Sequence, residues 1–115
     1  MKDMVTELPG LSRVRARFIE MLGPRQEQIA MHAIAAWDGK TAAEICDNLD
    51  AAKAILHQIA GSAGSLGMAE LGDMAHQCEN EIIAHLKSPE AGQATCPGDV
   101  ITNVDQFLEN CRKLL

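Results

Sequence analysis

His57 is the residue of this chain whose type and neighbours point most directly to chemistry. A neutral imidazole near pH 7 offers a nucleophilic nitrogen. Lys53 stands one turn before it, and Gly61 and Gly64 follow at one and two turns. A glycine inside a helix costs roughly 1 kcal/mol relative to alanine, and Gly61 lies well before any predicted helix end. A missing side chain beside the imidazole lets another molecule reach it. Taken singly, the histidine is an ordinary solvated residue and the glycines an ordinary helix stop. Taken together, they describe a nucleophile open to a partner.

A second constellation is Asp73 with His76, a carboxylate and an imidazole at i, i+3. Di-iron bundles use that pair twice, with two further inward carboxylates. No second pair is found, so no metal site is assigned, and His76 and His85 are read as parts of a polar helix face. His32 gives no signal. Cys46, Cys78, Cys96 and Cys111 are too widely spaced for a Cys-x-x-Cys motif. With no export signal at the N-terminus, reduced thiols are expected, and Cys46, Cys78 and Cys111 read as small core residues. There is no Gly-rich phosphate loop and no ATP motif, so no kinase activity of its own is expected.

These residues must be held by helices. Hydrophobic residues make up 47% of 115, with only 3% aromatic, and Ala, Leu, Ile and Met dominate. Such a composition favours helix over sheet and allows one packed domain spanning 1–115. The net charge of −6 leaves Arg13, Arg15, Arg17 and Arg25 as the only basic cluster, a poor match for nucleic acid. No apolar run reaches the roughly 20 residues that span a bilayer, and a cytoplasmic protein is expected.

Punctuation residues divide the chain into five helices. A short one runs from Ser12 to Leu22, ends at Gly23-Pro24, and is followed by another to about Trp37. Thr41 with Glu44 forms a capping box that opens the third, which continues to about Leu66, with Asn48 or Asp50 able to cap a break within it. Gly67 is its left-handed stop. The fourth runs from Met68 to Lys87. A loop over 88–97 leads to the last, ending near Leu114. The expected fold is all-α: an antiparallel four-helix bundle with an additional short N-terminal helix. On the third helix Ala52, Ile55, Ile59, Ser62 and Leu66 share the apolar face, and His57 lies opposite with Lys53, Ala54, Gly61 and Gly64.

The run from His57 to Gly67, followed by Leu71 and the Cys78-Glu79 pair, resembles the signature of histidine-containing phosphotransfer (HPt) domains, over about residues 52–80. The resemblance implies a bundle whose exposed histidine accepts a phosphoryl group from a receiver-domain aspartyl phosphate. The histidine then passes it to another receiver aspartate. His57 would be the phosphoacceptor, attacking through Nε2, and Lys53, Ala54, Gln58, Ala60, Gly61 and Gly64 would form the docking surface, completed by part of the first or second helix. The partners implied are response-regulator receiver domains and a hybrid sensor kinase. Mg2+ is expected on the receiver, no cofactor on this chain, and a monomer is expected. The family usually carries Lys or Arg three residues after the histidine, where this chain has Ala60. Lys53 can substitute geometrically, and equally can be a solubilising lysine. Two alternatives stay open: an HPt-like adaptor that binds a receiver or kinase without phosphotransfer, and a metal-binding helical bundle.

Overall fold

The computed structural model describes residues 10–114. They form four α-helices: α1 Leu11–Trp37, α2 Ala42–Ser65, α3 Ala69–Leu86 and α4 Gly98–Leu114. The described residues include no strand. Short turns join α1 to α2 and α2 to α3, which sets neighbours antiparallel. Each helix packs on the next, and α4 returns to α1 to close the ring, while the diagonal pairs do not pack together. This is the expected four-helix bundle. No helix is long and apolar enough to cross a membrane among the described residues.

The separate short N-terminal helix is not present. Its residues and those of the expected second helix form one continuous α1 of 27 residues, with Pro24 inside it. Proline removes one ladder bond and crowds the preceding turn, at a cost of about 3 kcal/mol. Two features offset that cost. Phe18 and Leu22 before the proline, and Ile29, Ala33 and Ala36 after it, fall on one uninterrupted helical face and enter the same core. Gly23, immediately before Pro24, lacks the Cβ that a proline ring clashes with in helical conformation.

The turn into α2 is built as its residues suggest. Thr41 Oγ1 accepts from the amide of Glu44 at 3.1 Å, and the Glu44 carboxylate reaches back to the amide of Lys40 at 3.1 Å. Gly39 is required by space, because a Cβ there would stand 2.8 Å from Ile45 Cγ1 and 3.2 Å from the Ala36 carbonyl. No break occurs at Asn48 or Asp50. Asn48 instead donates to the Glu44 carbonyl at 2.9 Å and pairs with His32 Nδ1 at 3.0 Å, tying α2 to α1. α2 stops where Gly67 turns left-handed, with φ at +78°, and the Met68 amide closes on the Ala63 carbonyl at 2.9 Å. In the following loop Pro89–Gly92 forms a 3-10 turn, and the Cys46 thiol donates to the Ala91 carbonyl at 3.3 Å.

The buried face of α2 is turned relative to expectation. Ile45, Leu49, Ala52, Leu56, Ile59, Ala63 and Leu66 are buried, while Ile55 and Ser62 are only half-buried. A helix gripped by two neighbours buries a wider arc than one apolar stripe marks. The rotation places Leu56 in the core and His57 on its flank, toward α3, rather than diametrically away from the core.

Candidate functional site

His57 projects from the middle of α2 with 76% of its side chain exposed. One ring atom is nevertheless fixed. Nδ1 lies 2.8 Å from Oε2 of Glu79, which α3 delivers from an otherwise apolar face formed by Leu71, Ala75, Cys78 and Ile82. Glu79 is buried, with only 6% of its surface accessible. A carboxylate oxygen is an acceptor, so with Glu79 ionised Nδ1 carries the proton and donates it. The lone pair of the ring is thereby left on Nε2, the nitrogen available for attack.

Around the imidazole the surface is made of small residues. A Cβ added at Gly61 or Gly64 would meet nothing within 4 Å, so internal packing does not require glycine at either position. Gly72 on α3 is different. A Cβ there would lie 3.3 Å from both the Ala60 carbonyl and the Gly64 amide, so Gly72 lets α3 close onto α2 beneath the site.

Two shallow grooves meet at His57. One runs between α2 and α3 and is bordered by Ala60, Gly61, Gly64, Ala69, Gly72, Asp73 and His76. The other lies toward α1 and is bordered by Val14, Arg25, Gln58, Gly61, Ser62, Ser65 and Leu66. His57, Gln58, Ala60, Gly61 and Gly64 therefore share one surface. Ala54 is exposed but borders neither groove, and Lys53 is drawn away to Asp50 at 2.7 Å. Asp73 and His76 are exposed beside the site rather than aimed into the bundle, the opposite of the inward carboxylate and imidazole of a di-iron centre. His76 Nδ1 is 3.6 Å from Oε1 of Glu79, the oxygen that has no hydrogen bond. No group of three or more His, Cys, Asp or Glu is placed to hold a metal among the described residues.

The thiols belong to the interior. Cys78, Cys96 and Cys111 are buried and Cys46 is half-buried, all unpaired. Burial pushes the Cys78 thiol up to about 12, assisted by the negative charges of Glu81 and Cys111, and the Cys111 thiol up to about 11. Cys96 is raised as well, by burial.

The sequence places Glu79 in the HPt-like signature without a role at the site, and gives Gly72 and Arg25 no role there. Glu79 carried a legible signal, an acidic residue beside Cys78 on the face that Ala75 and Ile82 define. Arg25 carried none, because its place on the same groove as His57 depends on how α1 packs on α2.

A sequence model described as the Hpt domain matches residues 13–114, nearly the whole chain. The chain belongs to the Hpt domain family. Its members carry phosphoryl groups on histidine in two-component phosphorelays, working with response-regulator receiver domains and sensor kinases, and have no kinase activity of their own. No curated protein and no solved structure gives a significant match.

Proposed function

We propose that His57 takes a phosphoryl group from a receiver-domain aspartyl phosphate and returns it to a second receiver aspartate. The observation that carries this reading is the 2.8 Å contact between His57 Nδ1 and buried Glu79, on an imidazole otherwise exposed. In the forward step the Nε2 lone pair bonds to phosphorus as the phosphorus–oxygen bond of the acyl phosphate breaks. The electron pair of that bond leaves with the receiver aspartate as its carboxylate. The ring keeps its Nδ1 proton and becomes cationic, and the Glu79 carboxylate offsets that charge where it forms. The return step reverses these changes on another aspartate.

Phosphoryl transfer depends chiefly on in-line placement and charge stabilisation. The small residues Ala60, Gly61 and Gly64 supply the first, by letting the receiver backbone approach Nε2. Mg2+ belongs to the receiver and would neutralise the acyl phosphate there. The chain acts as a monomer in the cytoplasm, docking transiently through a surface with a small-residue centre and polar rim.

The test is incubation with phosphorylated receivers from the source organism. The reading expects acid-labile, alkali-stable label on the wild type and none on His57→Gln. A wild type that binds a receiver yet takes no label would instead favour an adaptor.

A further inference from the structure

Resting on that reading, we infer that Arg25, reaching across from α1, is the cation that meets the phosphoryl group on His57. A phosphoryl group adds a charge of about −1.5 to −2 near neutral pH and three acceptor oxygens, so its neighbours decide which way it turns. On the α3 side of His57 the groove is bordered by the Asp73 carboxylate and by His76, whose Nδ1 lies 3.6 Å from Oε1 of buried Glu79. On the α1 side the groove holds no carboxylate. Arg25 borders it together with Gln58, Ser62 and Ser65. Repulsion from one side and attraction from the other turn the phosphoryl group toward α1.

The other basic residues nearby are committed or elsewhere. Lys53 is bound to Asp50 at 2.7 Å and borders neither groove. Arg15 donates to the Leu66 carbonyl at 3.0 Å and secures the end of α2. Arg13 and Arg17 are exposed on α1 and border neither groove. Arg25 is half-buried, and its guanidinium has no ion-pair partner among the described residues. A guanidinium can grip two phosphoryl oxygens at once, which a lysine ammonium cannot match. The cation is then supplied from a different helix than Ala60 occupies, and from the opposite flank of the imidazole.

The inference is tested on the full chain with Arg25→Ala, Arg25→Lys and Lys53→Ala, each first checked for an unchanged melting curve. Transfer from a phosphorylated receiver should fall about tenfold in Arg25→Ala, the worth of one charge-assisted bond. Arg25→Lys should recover part of that loss, and Lys53→Ala should stay within about twofold. Phosphorus NMR of the phosphorylated proteins gives a readout that a packing defect would not move. With Arg25 present, the phosphoryl group should lose its last proton at a lower pH than in Arg25→Ala. Wild-type label with Arg25→Ala unchanged in both rate and titration overturns the role of Arg25 and leaves the carrier reading standing. Failure of the wild type to take label on His57, from receivers and from phosphoramidate alike, overturns both.

Discussion

The surface around His57 and the groove between α1 and α4 are built from opposite materials. The α1–α4 groove is the larger, about 590 Å³, and it is walled by Ile34, Trp37, Ile101 and Leu108, with Asp99 and Asp105 as its only charged residues. The two grooves at His57 enclose about 330 and 520 Å³ and are floored by glycine, alanine and serine. Volume and apolar lining therefore do not locate the chemistry in this bundle. It lies where a nucleophile hydrogen-bonded to a buried carboxylate coincides with a backbone that a partner can approach. The α2–α3 seam achieves this through close packing at Gly72, which brings Glu79 under the imidazole, while Gly61 and Gly64 keep the outer face bare.

Glu79 should separate the two regions most sharply. Replacing it with alanine leaves Nδ1 without its acceptor, and phosphotransfer should fall on the order of tenfold or more. Glu79→Gln keeps an acceptor oxygen but loses the charge, and should lie between alanine and wild type. Nitrogen NMR of the ring should find the Nδ1–H tautomer fixed in wild type and mixed in Glu79→Ala. Equal rates in all three proteins would remove Glu79 from the mechanism.

The glycines sharpen the contrast within the seam itself. Gly61→Ala should stabilise the fold by roughly 0.5–1 kcal/mol, because its Cβ enters open space. Gly61→Leu should fold but slow transfer from a receiver while leaving labelling by phosphoramidate intact, since only the large partner is obstructed. Gly72→Leu should do the reverse in stability, losing about 1–3 kcal/mol by overpacking against the Ala60 carbonyl. Thermal melts with both labelling assays distinguish these outcomes.

Thiol reactivity probes the interior that both regions share. Cys78 and Cys111 should resist alkylation at neutral pH until the protein unfolds. Their raised native values also fix a sign. From about pH 9 upward the unfolded chain releases thiol protons that the native state still holds, so stability should decline across the interval up to about 12. The smallest effect is expected in the α1–α4 groove, where Trp37→Ala should leave transfer within about twofold of wild type. A larger loss would bring that groove into receiver recognition.

Much of this was legible in the sequence. The capping box at Thr41, the left-handed stop at Gly67, and the grouping of His57, Gly61 and Gly64 on one surface follow from residue type and spacing alone. The misreadings have a common origin in tertiary packing. Gly23-Pro24 reads locally as a break, yet the core-facing residues on both sides stay in helical phase and hold α1 together. Apolar spacing draws the face of α2 through Ile55 and Ser62, whereas contact with both α1 and α3 buries Leu49 and Leu56. The Glu79 contact crosses 22 residues, and Arg25 borders the same groove as His57 from another helix. No local pattern encodes such distances.

The most direct test of the account is the atom that carries phosphorus. The protein, labelled by a phosphorylated receiver, should show by nitrogen and phosphorus NMR a single phosphohistidine at His57, bonded through Nε2, with Nδ1 still protonated and facing Glu79. Phosphorus on Nδ1 of His57, or on His76 in its place, would contradict it.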